Sequence, residues 1–359
     1  MGNLSAMNTG RFRLLLDTPG PFASVYFAES DEQDGSAQPI RGTWPQLHEQ
    51  LVEQGADESV IGEIEHAVME LTQPICRGGR AVVAGATGVV LNEYLLRASA
   101  KPVVRVSKLP YIVPILQHGL EHAHYLLVVV EPEGALITRH NATRHSETVR
   151  ANSLAEREAA AQANDPRPCA VADRVSELVH DASYQAMFVV GDEGLRSGLL
   201  ARLPAEVRER TTSLSIGVRR GGYDFEEIQR AVDLTLLRQR LNLVDSATER
   251  FNTEIGRRSG LAAEGLGAVC SALREGTVDT MIIGEIDDAT VVADEGMTTV
   301  APSADVLSEQ GAAAAKTLRA DEALPLLAIS VGAALVRTDE RIAPADGIGA
   351  VLRYAPTLH

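Results

Sequence analysis

The feature of this sequence that most constrains its fold is a long helical stretch in the second half of the chain. Residues 224–259 include the run EEIQRAVDLTLLRQRLNLVDSATERFNTEIG, whose pattern is helical throughout. Strand and turn patterns occupy the chain on both sides of this run. We therefore expect the helix to connect a second block of the chain to a third.

The first block predicts a small α+β domain over residues 1–120. It begins with FRLLLDTPGPFASVYFAES, two β-rich runs broken at Pro19-Gly20-Pro21. Apolar residues at helical spacing then predict helices near 43–54 and 57–72. The run GGRAVVAGATGVVLNEYLL predicts a β-hairpin, because two apolar runs flank the turn Gly85–Gly88.

The second block, residues 121–248, predicts a mixed sheet with helices packed on it. It opens with HYLLVVVEPEGALITRHN, two strands joined by a turn, and a polar segment over 144–168 follows. Helix and strand patterns then alternate up to the long helix. A hairpin followed by such an alternation predicts that antiparallel and parallel strands share one sheet.

The third block, residues 249–359, predicts a compact α/β sandwich. The helix pattern AAEGLGAVCSALREG leads into the strand pattern TVDTMIIGEI. An Ala-rich helix over 303–319, a helix near 321–331 and two terminal strands complete the block. The sequence as a whole therefore predicts an α/β (α+β) protein of three domains.

Charge separates the two ends of the chain. The net charge of −16 argues against loose, non-specific binding to nucleic acid, because affinity for phosphate needs clustered cations. Residues 77–108 nevertheless hold six basic residues against one acid, Glu93, whereas the chain after Phe251 has eight Lys/Arg and sixteen Asp/Glu. The first region is therefore suited to meet phosphate. Its basic residues are Arg77, Arg80, Arg97, Lys101, Arg105 and Lys108.

Cysteine usage and hydropathy fit a cytoplasmic protein. The three cysteines, Cys76, Cys169 and Cys270, form no CxxC pair, so neither a disulfide framework nor a cysteine zinc site is indicated. The N-terminus lacks the basic and apolar regions of a signal peptide. No apolar run is long enough to span a bilayer, and we expect no membrane partner.

Two patterns suggest an alternative function, a metal-dependent hydrolase or nuclease. HGLEH, His118–His122, matches the H-x-x-E-H pattern of inverted zinc peptidases, but it contains Gly119 and runs almost directly into the next strand. Glu131 and Glu133 match half of a two-metal nuclease site, and EPEG is also an ordinary hairpin turn. A helix between domains is the simpler interpretation of HGLEH, and we expect no bound metal and no cofactor.

Several segments resemble one family across nearly the whole chain. YLLVVVEPEGALITRHN and MFVVGDEGLRSGLL resemble the middle domain of the archaeo-eukaryotic class-1 release factors. RFNTEIGRRSGLAAEGLGAVCSALREGTVDTMIIG resembles the start of that family's C-terminal domain, and DGIGAVLRY is typical of its bacterial branch. The chain is thus similar to bacterial homologues of the release factor and Pelota. The resemblance implies an RNase H-like middle domain and a C-terminal domain with a ribosomal-protein L7Ae-like fold.

The catalytic motif of the release factors is absent. They place Gly-Gly-Gln after the middle-domain hairpin, and the corresponding interval here, ETVRANSLAEREAAAQANDPRPCAVADRV, contains no such motif. Gly221-Gly222 comes much later and is followed by Tyr223, so a tight turn is its expected role. No Asn-Ile-Lys-Ser stop-codon motif occurs in the first block either. We therefore expect no enzymatic activity and assign no catalytic residue.

The resemblance extends to Balon-type ribosome hibernation factors, and it implies a protein that occupies the ribosomal A site in a tRNA-like manner. The expected partner is the 70S ribosome, with contacts to rRNA at the A site and the decoding centre. Elongation factor Tu, bound through the acidic C-terminal domain, is a second expected partner. Candidate RNA contacts, for which a solvated surface is the alternative, are the six basic residues above together with Arg139, His140, Arg144 and His145.

Overall fold

The computed structural model divides the chain into two compact units. One unit combines Met1–Gly119 with Arg240–His359, and the other comprises Leu120–Gln239. The division into three domains at 120 and 248 stays a prediction. The structure describes residues 10–28, 39–69, 78–97, 101–119, 124–132, 134–140, 146–152, 167–181, 184, 186–216, 223–297, 299–338 and 342–355.

The N-terminal segment is an antiparallel sheet with helices, as predicted. After a 3-10 turn at Gly10–Phe12, its elements in chain order are α1 (Leu14–Asp17), β1 (Phe22–Ala28), α2 (Pro39–Glu53), α3 (Glu58–Met69), β2 (Gly79–Gly85), β3 (Gly88–Leu95), β4 (Val103–Ser107) and α4 (Val113–His118). The sheet order is β3-β2-β1-β4, and every neighbouring pair is antiparallel. The two predicted helices and the β2–β3 hairpin are confirmed.

The second unit is built on the mixed sheet that the sequence predicts. Its elements are β5 (Tyr125–Glu131), β6 (Gly134–His140), β7 (Ser146–Asn152), α5 (Arg167–Asp181), β8 (Ala186–Val190), α6 (Glu193–Arg202), α7 (Ala205–Glu209) and β9 (Thr211–Ser213). The strand order is β7-β6-β5-β8-β9. Strands β7, β6 and β5 pair antiparallel, whereas β8 and β9 run parallel to β5.

The long helix is confirmed as α8, Phe225–Arg257, which contains 33 residues. In its first half, Ile228 and Val232 are buried. Gln229 donates a hydrogen bond to the hydroxyl of Tyr125 at 3.1 Å. Since the unit boundary lies at Gln239–Arg240, residues of α8 belong to both units.

The C-terminal segment alternates short strands and helices, as predicted. Its elements are β10 (Ala262–Glu264), α9 (Leu266–Arg274), β11 (Val278–Ile283), β12 (Thr290–Ala293), β13 (Val300–Ala301), α10 (Ala304–Glu309), β14 (Lys316–Arg319), α11 (Ala320–Ser330), β15 (Ala334–Arg337) and β16 (Ile348–Leu352). They form a four-stranded sheet ordered β10-β16-β11-β15 and a three-stranded sheet ordered β13-β12-β14.

The two faces of the N-terminal sheet bury different partners, because successive residues of a strand point to opposite faces. Val25 and Val82 pack with the apolar residues of α2 and α3. Tyr26 and Ala81 point the other way and join a core that contains Leu335 of the C-terminal segment. This shared core explains why the two ends of the chain form one compact unit.

Three local predictions are wrong. Leu14–Asp17, predicted as part of a β-rich run, is a short helix, since leucine favours helix strongly and a four-residue run carries no clear period. The predicted helix over 303–319 ends at Glu309, because Gly311 adopts φ +79°, and Lys316–Arg319 pairs with β12 instead. The polar segment 144–168 contains the strand β7, which pairs with β6.

Among the helices in the described part of the chain, none combines the length and the apolar character that crossing a lipid bilayer requires.

Candidate nucleic-acid interface

The N-terminal sheet separates the predicted RNA contacts into two places. Arg97 lies two residues after the end of β3, and Lys101 lies two residues before the start of β4, so both lie at the same end of the sheet. Lys108 follows the other end of β4, roughly 20 Å away at the rise of an extended strand. All three side chains are exposed to solvent. The structure therefore places Arg97 and Lys101 at one end of the sheet, beside its two opposite edge strands, and Lys108 at the other end.

Arg105 is held inside its own unit. One guanidinium nitrogen lies 2.8 Å from a carboxylate oxygen of Asp321 and 3.3 Å from one of Glu322. The guanidinium carbon lies 3.5 Å from the ring centroid of Tyr111. The guanidinium of Arg105 is therefore already paired with carboxylates and is not available to a phosphate. Its ion pairs connect the N-terminal sheet to the start of α11.

The carboxylates around Arg105 form a buried network. Ser107 donates a hydrogen bond to Glu322 at 2.8 Å, and Arg319 contacts Asp321 at 3.0 Å. Glu322 retains 3% of its exposure. Burial raises the pKa of the Glu322 carboxyl, and the hydrogen bond from Ser107 and the charge of Arg105 oppose that rise.

Two further candidates are buried. Arg80 retains 3% of its exposure and His140 retains 4%. The imidazole of His140 stacks on Tyr125, with ring centroids 4.4 Å apart and planes 9° from parallel. A buried side chain cannot reach a phosphate without moving, so neither residue is included in the interface proposed below. Arg139 is half-buried, and Arg77, Arg144 and His145 lie outside the described residues.

His118 lies among arginines that the sequence did not associate with it. The carbonyl of His118 accepts a hydrogen bond from the backbone of Leu96 at 2.7 Å, which places α4 beside Arg97. Arg240 donates to the carbonyl of Gly119 at 2.7 Å and also to that of Leu116. Burial lowers the pKa of His118, and the charges of Arg240, Arg97 and Arg337 lower it further.

The metal-dependent alternative gains no support from the residues that the structure describes. Among them, no group of three or more His, Cys, Asp or Glu side chains is arranged to hold a metal ion. Glu121 and His122 of the HGLEH motif and Glu133 of the EPEG turn lie outside those residues, as does Gly221-Gly222. The positive charges of Arg240, Arg97 and Arg337 near His118 oppose the binding of a cation to its imidazole.

The acidic C-terminal segment presents carboxylates beside β12 and β14. Asp288 is 95% exposed and forms an ion pair of 2.8 Å with Arg319. Asp287 beside it is also exposed. The predicted preference of this segment for a protein partner therefore rests on exposed carboxylates such as these.

Comparison with known proteins identifies similar sequences and structures. A model of bacterial archaeo-eukaryotic release factor family 2 matches residues 168–257. Two proteins from different strains of Mycobacterium tuberculosis, neither with a functional name, are each 38% identical to this chain over 366 residues. The match covers 98% of this chain and 98% of each relative.

Solved structures of Pelota proteins are more distant. Pelota of Archaeoglobus fulgidus is 13% identical, with 98% of this chain and 92% of that chain covered and a TM-score of 0.33. Ribosome-bound archaeal Pelota is 14% identical, with 97% of this chain and 94% of that chain covered and a TM-score of 0.41. The translation termination-like factor Dom34 of S. cerevisiae is 9% identical, with 97% of this chain and 94% of that chain covered and a TM-score of 0.39. The assignment of the chain as a bacterial homologue of the release factors therefore rests on the family-model match over residues 168–257.

Proposed function

We propose that this bacterial homologue of the archaeo-eukaryotic release factors, whose residues 168–257 match the model of family 2, is a ribosome-binding translation factor. In this proposal it enters the A site of an idle 70S ribosome in a tRNA-like manner and holds the ribosome inactive. The observation that carries the proposal is that a member of a release-factor family lacks Gly-Gly-Gln throughout its sequence. Binding without hydrolysis is the activity that such a chain retains.

Exposed cations of the N-terminal segment supply the contacts to rRNA in this proposal. Arg97, Lys101 and Lys108 are exposed on a chain whose net charge is −16. Contacts to phosphate position a protein on RNA without reading its sequence, and they account for most of the salt dependence of binding. A few such contacts suit a protein that recognises the shape of a site more than its bases.

The proposed protein is not an enzyme. A glutamine held at the peptidyl-tRNA ester is what the Gly-Gly-Gln loop of a release factor supplies, and Tyr223 follows Gly221-Gly222 in this chain. Burial raises the pKa of the Tyr223 hydroxyl, and the charges of Asp192 and Glu131 raise it further, so the hydroxyl stays protonated at neutral pH. Peptidyl-tRNA should therefore survive binding of the protein.

Delivery by elongation factor Tu is the finer part of the proposal. Exposed carboxylates such as Asp287 and Asp288 suit a protein surface with basic residues and repel RNA. The acidic segment would then face the GTPase while the N-terminal segment faces rRNA. Pull-down of the chain with elongation factor Tu, with and without GTP, tests this part separately.

Sedimentation with vacant 70S ribosomes tests the proposed function. The parent is compared with a variant in which Arg97, Lys101 and Lys108 are changed to glutamine, over a series of salt concentrations. We expect near-stoichiometric pelleting of the parent at low salt, and a logarithmic salt slope for the variant that is smaller by about 1 for each phosphate contact removed. A parent that stays in the supernatant at every salt concentration contradicts direct ribosome binding.

A further inference from the structure

We infer that the side chain of Gln54 closes the outer edge of the N-terminal sheet against pairing with a second copy of this chain. Strand β4 is the last in the order β3-β2-β1-β4, so only one of its sides pairs with a described strand. An edge strand presents backbone N–H and C=O groups that pair with a strand of another molecule. The inference goes beyond the proposed function and does not depend on it.

Gln54 contacts the outer edge of β4 through both ends of its amide. Its nitrogen donates a hydrogen bond to the carbonyl of Val104 at 2.9 Å. Its oxygen accepts a hydrogen bond from the backbone N–H of Val106 at 3.0 Å. A side-chain amide carries the same kinds of donor and acceptor as a peptide group. Gln54 therefore occupies two backbone groups of β4 in the way that a neighbouring strand does.

The end of α2 holds Gln54 in place. Gln54 directly follows this helix, and Gly55 after it adopts φ +78°. The N–H of Gly55 bonds the carbonyl of Val52, and the N–H of Ala56 bonds the carbonyl of Leu51, each at 3.0 Å. This pair of bonds is the glycine-dependent stop that ends many helices. Since Leu51 is fully buried in the core beneath the sheet, the backbone of Gln54 is anchored beside β4.

The edge that Gln54 covers is complementary to itself. In an antiparallel sheet the N–H and C=O of one residue point to the same side, so both groups of Val104 and of Val106 face outward. Two copies of β4 that run antiparallel about Arg105 bring Val104 of one copy opposite Val106 of the other. This pairing uses every outward group of the two valines and requires both copies to release Gln54. A second copy of the chain is therefore the partner that the contact excludes.

The ends of β4 are protected by other residues, and its centre depends on Gln54. Pro102 immediately precedes the strand, and Lys108 immediately follows it. Proline and lysine are the residues that most often prevent an edge strand from pairing with another molecule. At the centre, the charge of Arg105 is compensated by two carboxylates of α11, so it does not keep two copies apart. The amide of Gln54 supplies the protection that the strand itself lacks there.

Residue-resolved amide hydrogen exchange and sedimentation velocity test this inference on the full chain. Gln54→Ala removes both contacts, and Gln46→Ala is the matched control at an exposed position of α2. In dilute Gln54→Ala we expect the amide of Val106 to exchange at least about tenfold faster than in the parent, because it has lost its acceptor. The amide of Arg105, which faces β1, should keep the protection of the parent and show that the sheet is intact.

Protein concentration then shows whether the opened edge pairs. The weight-average sedimentation coefficient of Gln54→Ala should rise with concentration more steeply than that of the parent, and Gln46→Ala should match the parent. In the concentrated variant, the amides of Val104 and Val106 should become protected again, because the second copy supplies acceptors. Faster exchange without added association, or association that leaves these two amides unprotected, overturns the inference. Exchange of Val106 that is unchanged in the dilute variant also overturns it.

Discussion

The ion pair between Arg105 and the buried carboxylates of α11 gives a quantitative prediction. Changing Arg105 to methionine keeps an apolar contact with Tyr111 and removes the charge that faces Asp321 and Glu322. Breaking a buried pair by removing one partner costs about 3–5 kcal/mol, because the other charge is left uncompensated. Arg105 is 23% exposed and Asp321 keeps its contact with Arg319, so we expect about 3 kcal/mol.

The pH dependence of this loss identifies its cause. Burial raises the pKa of Glu322 above its usual value, and removing Arg105 raises it further, because Arg105 is one of the groups that lower it. A carboxyl with a raised pKa in the folded protein contributes stability that is fully present below its unfolded pKa and is lost as the pH rises through its folded pKa. The Arg105→Met variant should therefore lose more stability at pH 8 than at pH 5.

Urea denaturation followed by circular dichroism measures these differences. Arg105→Met in a Glu322→Gln background should cost about 1 kcal/mol, because no uncompensated charge then remains at residue 322. Arg97→Gln, an exposed control, should change stability by less than about 0.5 kcal/mol. A loss for Arg105→Met below about 1 kcal/mol at pH 8, or a loss that is the same in both backgrounds, would refute the assignment of Arg105 to a structural role.

Other features of the chain give further predictions. Gly347 has φ +69°, and a Cβ there would meet the carbonyl of Glu285, so Gly347→Ala should lower the free energy of unfolding by more than about 1 kcal/mol in urea denaturation. Gly62→Ala, in α3 with nothing within 4 Å of the new Cβ, should instead raise it by roughly 0.5–1 kcal/mol. Burial raises the pKa of Cys270 to about 12, so with the other two cysteines replaced by serine, iodoacetamide should label the protein only after unfolding.

Local patterns were sufficient to predict the long elements. The helix over 224–259 and the β2–β3 hairpin are each specified by contiguous residues, and the structure has both. The prediction of one helix over 303–319 was wrong, because the helical propensity of this Ala-rich stretch competes with strand pairing to β12 at its C-terminal end. Lys316–Arg319 pairs with β12, and a pattern read within one window does not contain that pairing.

The candidate site was harder to predict, because its contacts join distant residues. Arg105 belongs to a basic stretch of sequence, but its carboxylate partners are 216 and 217 residues away. The sequence identified His118 only through a metal-binding pattern. Arg240 and Arg337, whose charges act on it, come from two other parts of the chain. A count of charges along the sequence identifies a basic region and cannot tell which of its residues are already neutralised within the fold.

Competition with tRNA for the ribosomal A site tests the central claim most directly. Programmed 70S ribosomes carrying peptidyl-tRNA in the P site are saturated with the protein, and labelled aminoacyl-tRNA binding is measured by filter retention. The account predicts that A-site binding is lost, that the peptidyl-tRNA ester stays intact, and that rising salt restores A-site binding as the protein dissociates. Unchanged A-site binding in the presence of saturating protein, or release of the peptide, would contradict it.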